Sequence, residues 1–181
     1  MIVFFGPAGA GKSTQGQILA ETYNWPWLSA GQLLRKKHDD EALKIMQEGK
    51  LVPPEEVDQL IGDAIINNSQ ADNIILDGFP RQLVQAHWLV ESRPLHGRSV
   101  DLAIMFDISK PELMKRLSER GRLDDTPEII DERLRLYDQE INPILGYFTE
   151  QDIKIVHING AGTINEVHDK VIKELAVCNL I

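Results

Sequence analysis

One segment near the start of the sequence constrains the fold more than any other. An apolar run at residues 2–5 ends in the segment Gly6-Pro7-Ala8-Gly9-Ala10-Gly11-Lys12-Ser13. This segment fits the pattern G-x-x-x-x-G-K-[ST], in which glycines let backbone N–H groups converge on phosphate oxygens at a helix N-terminus. The pattern requires a strand before it and a helix after it. The sequence therefore predicts a strand–loop–helix unit that binds a nucleoside triphosphate.

Strand-like and helix-like segments alternate along the whole chain. Helix-length segments separate four more short apolar runs, at residues 25–28, 73–76, 102–106 and 153–158. Near-continuous apolar strands are typical of a parallel sheet that is buried on both faces. Parallel strands need crossover helices between them. The alternation therefore predicts an α/β fold, a single three-layer sandwich domain over residues 1–181 with a five-stranded parallel sheet.

Two helix starts are visible in the sequence. Thr126 precedes Pro127, which predicts an N-cap followed by a helix over residues 128–148. Thr163 and Glu166 have the spacing of a capping box, in which each residue satisfies a backbone N–H near the other. Both patterns predict long helices in the C-terminal third of the chain.

Composition excludes several classes of protein. The formal net charge is −9, whereas binding to nucleic acid or to an anionic membrane needs a basic surface. No apolar run reaches the roughly 20 residues that span a bilayer. A single cysteine, Cys178, excludes a disulfide framework and a cysteine zinc site. The apolar run that follows Met1 leaves no room for a signal peptide, so we expect a cytoplasmic protein.

Four further segments carry a family resemblance. They are residues 28–35 (LSAGQLLR), 48–53 (EGKLVP), 77–85 (DGFPRQLVQ) and 116–133. With the phosphate-binding loop, their order and spacing resemble the nucleoside monophosphate kinases, and among these the adenylate kinases most closely. The resemblance implies magnesium-dependent, reversible transfer of the γ-phosphoryl group of ATP to a nucleoside monophosphate, with AMP as the expected acceptor. It also implies a monomer with a helical monophosphate-binding insertion at about residues 30–70 and a minimal lid at about residues 120–125.

The resemblance also implies a role for each matching residue. Cations are needed around a transferring phosphoryl group because negative charge spreads over its oxygens in the transition state. The implied catalytic residues are Lys12, Arg81, Arg120, Arg122 and Arg133. The implied ATP-binding residues are Gly9, Ala10, Gly11, Lys12, Ser13, Thr14, Arg116, Arg120 and Gly162. The implied AMP-binding residues are Ala30, Arg35, Lys50, Leu51, Val52, Gly78, Phe79, Pro80, Arg81, Gln85, Arg122 and Arg133. The implied magnesium ligands, acting through water, are Ser13 and Asp77.

The sequence departs from the family pattern in three ways. Gly121 alone separates the two lid arginines, and such a short lid excludes less water, so we expect some ATP hydrolysis. Gln32 stands where an aspartate is common, and Ser29-x-x-Gln32 also fits a capping box. Ala30 matches the UMP/CMP kinases, whereas Gln85 matches the adenylate kinases. Two alternatives therefore stay open: a UMP/CMP kinase and, more remotely, a nucleotide-binding regulator with little turnover.

Overall fold

A computed structural model describes residues 1–37, 40–92, 97–120 and 126–181, with only the main chain described at Arg120. The strands are β1 (Ile2–Phe5), β2 (Trp27–Ser29), β3 (Ile75–Asp77), β4 (Leu102–Asp107) and β5 (Ile155–Asn159). The helices of the described residues are α1 (Lys12–Tyr23), α2 (Ala30–Lys36), α3 (Asp40–Gln47), α4 (Pro54–Asn67), α5 (Leu83–Glu91), α6 (Lys110–Arg120), α7 (Pro127–Glu150) and α8 (Ile164–Val177).

The five strands form one parallel sheet in the order β2-β3-β1-β4-β5. In the central strand, Val3 pairs with Leu76 on one side and with Ala103 on the other. The chain order reverses at β1, because β2 and β3 lie on one side of it and β4 and β5 on the other. Such a switch point opens a crevice at the carboxyl ends of the strands. The predicted α/β fold with a five-stranded parallel sheet is confirmed.

The two faces of the sheet carry separate apolar cores. Val3 and Phe5 belong to a cluster that α4, α5 and α7 cover, and Phe5 lies 5.6 Å from Phe148 between ring centroids. Ile2 and Phe4 belong to a second cluster on the opposite face, which α1 and α8 cover. Successive strand residues point to opposite faces. This alternation explains why every residue of β1 is apolar, and burying each large side chain contributes about 1.5–3 kcal/mol.

Most of the predicted element boundaries are close to the observed ones. Thr126 caps α7 by accepting a hydrogen bond from the N–H of Ile129, and Thr163 and Glu166 form the capping box of α8. Strands β2, β3 and β5 begin two residues later than the apolar runs suggest. At β2 the reason is Pro26, which has no N–H to donate to a ladder. Its carbonyl oxygen accepts from the N–H of Ile75 at 2.9 Å, and strand pairing starts there.

A membrane-spanning helix needs roughly 20 predominantly apolar residues, and the described helices do not meet this requirement. None of them is long and apolar enough to cross a bilayer. The longest helix, α7, has 24 residues, but charged side chains are spread along it.

Candidate active site

A cleft of about 710 Å³ opens at the carboxyl ends of the strands. Its wall includes the loop after β1, the first turn of α1, the start of α2 and the loop after β3. Residues of α6, α7 and the loop after β5 complete the lining. Segments that are far apart in sequence therefore meet at the crevice that the sheet order predicts.

The loop after β1 has the glycine conformations and the following helix N-terminus that a phosphate cradle requires. Gly9 and Gly11 have φ values of +88° and +98°, which glycine adopts without strain. The Lys12 ammonium donates to the carbonyl oxygens of Gly6 at 2.6 Å and Pro7 at 2.8 Å. These contacts hold the lysine across its own loop, so a bound phosphate must exchange with them. The cradle places a positive side chain and a helix N-terminus at the same point.

A hydroxyl–carboxylate pair lies beside this cradle. The Ser13 hydroxyl donates to Oδ2 of Asp77 at 2.6 Å, and Asp77 is 3% exposed at the end of β3. A hydroxyl and a carboxylate are hard oxygen donors, the type that magnesium prefers. Magnesium also keeps several waters and is commonly bound by one or two protein groups together with substrate phosphates. The Ser13–Asp77 pair therefore fits a magnesium ion that is held mainly by water and phosphate.

Three arginines of the cleft, Arg35, Arg81 and Arg133, lie near one another. Arg81 is exposed toward the cleft. The surrounding protein still removes water from its guanidinium, and this desolvation lowers the pKa of Arg81. The Asp77 carboxylate opposes this shift, while the like charges of Arg133 and Arg35 add to it. A phosphate group bound between these side chains would relieve their mutual repulsion. The arrangement is therefore suited to a polyanion.

The backbone beside Arg81 requires a glycine. Gly78 has a φ of +71°, and a Cβ there would lie 2.9 Å from Nη2 of Arg81. Nε of Arg81 also donates to the carbonyl oxygen of Gly78 at 2.9 Å. The guanidinium thus lies directly on the glycine backbone, which fixes its position. The Phe79–Pro80 peptide bond between these two residues is cis.

A smaller pocket of about 30 Å³ opens behind Arg81. It is lined by apolar groups, including Ala30 and Val52, and by the buried amide of Gln85. Oε1 of Gln85 accepts from the backbone N–H of Arg81 at 2.8 Å. A backbone N–H can only donate, so its partner must be the amide oxygen, and the amide NH₂ is available to the pocket. The polar end of this pocket therefore has a fixed orientation.

The loop after β5 lines the cleft beside the phosphate-binding loop. Nη2 of Arg116 donates to the carbonyl oxygens of Gly160 at 3.0 Å and Gly162 at 3.5 Å. Nε of Arg116 donates to Glu112 at 2.8 Å, one helical turn earlier in α6. A planar guanidinium held along this loop offers a flat surface for a base.

Comparison with known proteins identifies this arrangement. The family model described as adenylate kinase matches residues 4–153. The chain belongs to the adenylate kinase family. A relative from Mycolicibacterium paratuberculosis named adenylate kinase is 39% identical over 172 residues, which cover 92% of this chain and 93% of the relative. Relatives of the same name from Mycolicibacterium smegmatis and Mycobacterium ulcerans are 37% identical over 180 residues, 96% of this chain and 98% of each relative.

Family membership confirms the enzyme class predicted from the sequence. The chain is a nucleoside monophosphate kinase of the adenylate kinase type. The reaction of this family is ATP + AMP ⇌ 2 ADP, as the sequence predicted.

Most of the site residues expected from the adenylate kinase resemblance lie together. The 710 Å³ cleft is lined by Gly9, Ala10, Gly11, Lys12, Ser13, Thr14, Arg35, Lys50, Leu51, Asp77, Gly78, Pro80, Arg81, Arg116, Arg133 and Gly162. The smaller pocket is lined by Ala30, Lys50, Leu51, Val52, Gly78, Arg81 and Gln85. The roles of these residues stay predictions.

Four of the expected positions need separate comment. Phe79 is fully buried and packs edge-on against Trp88 at 5.9 Å between ring centroids, so its side chain belongs to the core. Arg122 and residues 121–125 lie outside the described residues, as does the Arg120 side chain, so the predicted lid is not described. At the start of α2, the Ser29 side chain makes no capping hydrogen bond. The capping-box interpretation of Gln32 was therefore wrong.

One wall of the adenylate kinase cleft was missed in the sequence. Leu136, Tyr137 and Glu140 line the cleft from α7, three to seven residues after Arg133. Residues at these spacings share one face of a helix. Because the helix itself was predicted, this periodicity would have identified them. The Tyr137 hydroxyl donates to Sδ of Met105 at 3.0 Å, and burial raises its pKa.

Proposed function

We propose that ATP binds with its phosphates on the loop after β1, and that AMP binds at the end of the cleft that holds Arg81. The support is the separation of two kinds of site within one cleft. The glycine loop with Lys12 and a separate group of side chains that includes Arg35 and Arg81 line the same cleft. Arginine forks match the planar geometry of phosphate oxygens. The γ-phosphoryl group would pass between these two anion sites.

The observation that carries AMP as the acceptor is the fixed amide of Gln85. Its NH₂ is available to the pocket, and Oε1 keeps a second lone pair beside the bond from Arg81. Adenine offers an acceptor at N1 and a donor at its 6-amino group, which together match this amide. Uracil and guanine carry N–H at the corresponding ring nitrogen and an oxygen beside it. Pairing with those bases would require the amide to turn over and to lose its bond to Arg81.

The catalytic roles follow from charge rather than from a proton-transferring residue. An acceptor phosphate is already a nucleophile, so the site has to position it and to stabilise the charge that develops. We propose that Lys12 and Arg133 do this from the cleft, together with Arg120 and Arg122 from the lid. Arg133 extends to the acceptor-binding insertion, where its Nη2 donates to the carbonyl oxygen of Met46 at 3.3 Å. The insertion at residues 30–70 and the lid at residues 120–125 are accordingly proposed to close on bound nucleotides.

We also propose that the reaction uses magnesium. Ser13 and Asp77 would hold the hydrated ion, because their oxygens already lie 2.6 Å apart at the edge of the phosphate cradle. Bound magnesium neutralises charge on the phosphates of ATP. The protein contributes orientation, since a buried carboxylate at the end of β3 has little freedom to move.

Initial rates with ATP and magnesium test the acceptor assignment. AMP, CMP, UMP and GMP are offered at equal concentration, and formation of each nucleoside diphosphate is measured. We expect AMP to be fastest, CMP to be measurable, and UMP and GMP to be slowest. A higher kcat/KM for UMP than for AMP would refute the assignment of AMP.

Ala30 favours CMP as a second acceptor. Its methyl group is 3% exposed and leaves about 30 Å³ of room in the pocket beside Gln85. Cytosine carries the same pair of groups as adenine, an acceptor at N3 and an amino group beside it. Ala30 and Gln85 are therefore both compatible with CMP as an acceptor, whereas Ala30 is compatible with UMP and Gln85 is not.

We further propose that the enzyme acts as a cytoplasmic monomer on small nucleotides, without nucleic acid or membrane partners. The phosphate cradle, the arginines and the base pocket all come from one chain, so no second copy is needed to complete the described site. The net charge of −9 supports the absence of polyanionic partners. Light scattering after size exclusion tests the monomer, with a mass of 20.4 kDa as the expected value.

A further inference from the structure

A buried glutamine connects the phosphate-loop helix to the first two turns of α8. Gln15 lies in the first turn of α1 and is 2% exposed. Its Nε2 donates to the carbonyl oxygen of Ile164 at 2.9 Å, and its Oε1 lies 2.9 Å from Nδ1 of His168. The fixed positions of the phosphate-loop pattern end at Ser13, so that pattern assigns Gln15 no role.

The partners of this glutamine determine the orientation of its amide. A carbonyl oxygen can only accept, so the NH₂ end of Gln15 faces Ile164 and the oxygen faces the imidazole. Nδ1 of His168 must then carry a hydrogen and donate it. Both ends of the amide are satisfied, and removing either partner would leave a buried polar group without a hydrogen bond. The side chain is thereby held in one position.

The loop that leads into this end of α8 lines the cleft. Residues 162–164 line the cleft, and Arg116 donates to carbonyl oxygens of the same loop from the opposite side. A Cβ at Gly160 would lie 3.1 Å from the carbonyl oxygen of Ala10. The loop is therefore in direct contact with the phosphate-binding loop and is tied from two sides.

We propose that Gln15 is a positioning residue for the donor base. Together with His168 it fixes residues 160–164 relative to the phosphate-binding loop, so the surface that receives the base is formed before ATP arrives. This inference rests on the proposed function, because it takes residues 160–164 as the donor-base site. The two hydrogen bonds of Gln15 both lead to the N-terminal turns of α8, which directly follow this loop, and not to the phosphate-binding loop. Gln15 therefore acts on binding of the base rather than on binding of the phosphates.

The test compares a ligand that has a base with one that has none. Gln15→Leu keeps a similar volume and removes both hydrogen bonds. We expect the Kd for ATP, measured by calorimetry, to rise about tenfold, the factor for one lost buried interaction of about 1.4 kcal/mol. Inorganic tripolyphosphate, which fills the phosphate cradle only, should bind both forms equally. In turnover, KM for ATP should rise while kcat and KM for AMP stay within about twofold.

Two further variants complete the experiment. Gln151→Leu makes the same substitution at an exposed position after α7 and should change neither Kd. His168→Ala removes one partner of Gln15 from a half-buried position, and it provides the same comparison if Gln15→Leu does not fold. We expect it to weaken ATP about threefold and tripolyphosphate not at all.

Each outcome separates the positioning role from the proposed function. Equal weakening of ATP and tripolyphosphate would show that Gln15 supports the phosphate cradle itself, and it would overturn the inference. Unchanged binding of ATP would overturn it as well. Absence of AMP phosphorylation by the unmodified enzyme would refute the proposed function, whereas the calorimetric comparison does not depend on turnover.

Discussion

The two ends of the cleft are built from different parts of the chain. At the end that we propose binds ATP, the site is one short loop, and Lys12 is held there by the carbonyl oxygens of Gly6 and Pro7. At the end that we propose binds AMP, the smaller pocket is lined by side chains from three separate segments, among them Ala30, Val52 and Gln85. A site made of backbone provides chemistry that depends little on neighbouring side chains. A site made of side chains decides which substrate is used.

The largest effect is expected at the ATP end. Lys12→Met removes the charge that we propose contacts the transferring phosphoryl group, while keeping an unbranched side chain of nearly the same length. By analogy with arginines that stabilise similar transition states, we expect kcat/KM to fall about 10³-fold or more. Lys173→Met, at an exposed position of α8, is the matched control and should retain the full rate. A rate like that of the unmodified enzyme in Lys12→Met would remove this residue from the catalytic mechanism.

At the AMP end, the sharpest change is Gln85→Glu. A carboxylate keeps an oxygen for the N–H of Arg81, but it offers the base a second oxygen instead of an NH₂. The preference should therefore shift from AMP toward IMP, which carries N–H at N1. We expect the ratio of kcat/KM for AMP to that for IMP to fall about 5- to 150-fold, the range of 1–3 kcal/mol for amide readout of adenine.

A neighbouring glutamine provides the control for added charge. Gln82→Glu places a carboxylate on the wall of the same pocket without touching the bond to Arg81. It should lower the rates with both monophosphates by similar factors and leave their ratio unchanged. If both variants change the ratio equally, charge rather than the orientation of the amide determines the base.

The same contrast explains what the sequence could predict. The phosphate-binding loop was readable because its residues are contiguous and follow a strand, and the sheet was readable because buried parallel strands are apolar throughout. Gln15 was missed although it follows this loop by two residues. Its partners, Ile164 and His168, come from the other end of the chain, and their proximity arises only when α1 and α8 pack on one face.

The base pocket was predictable in its residues but not in its geometry. Ala30 and Gln85 were identified by position, and they indicated different acceptors. The structure adds the bond from Arg81, which fixes the direction of the Gln85 amide. A sequence pattern names the side chain, whereas its hydrogen-bonding direction depends on a backbone group that packing brings to it. Residues of α7 such as Tyr137 are intermediate between the contiguous phosphate-binding loop and the base pocket. Their helical spacing from Arg133 is enough to relate them to the cleft.

The pH dependence of protein stability provides a test that concerns the predicted monophosphate-binding insertion alone. Asp58 in α4, within the predicted insertion, is 9% exposed, and its Oδ1 has no hydrogen-bond partner. Burial, reinforced by the charge of Glu55, raises the pKa of Asp58 to about 6. A folded-state pKa above the unfolded one means that this group contributes stability below about pH 4, which is lost as pH rises through 6. Asp58→Asn should remove this pH-dependent loss of unfolding free energy.

Denaturant unfolding at pH 5 and pH 8 measures this effect. Relative to Asp58→Asn, we expect the unmodified protein to lose about 1 kcal/mol of unfolding free energy between these pH values, less than the full shift because the carboxyl keeps some contact with water. Asp63→Asn, at an exposed position of the same helix, should keep the pH dependence of the unmodified protein. An unchanged pH dependence in Asp58→Asn would assign the titration to another group.

The smallest effect is expected from Ala30→Thr. The added atoms enter a pocket of about 30 Å³, which is enough for one water molecule. Cytosine is smaller than adenine and would bind together with a water molecule in this space. Filling the space should therefore weaken binding of CMP more than binding of AMP. The added hydroxyl also provides one polar contact for adenine. We expect the ratio of kcat/KM for AMP to that for CMP to rise about threefold, less than 1 kcal/mol. Ala30→Val has the same shape without the hydroxyl, so an equal rise in both variants would attribute the selectivity to volume alone, and no rise in either would exclude Ala30 from base selection.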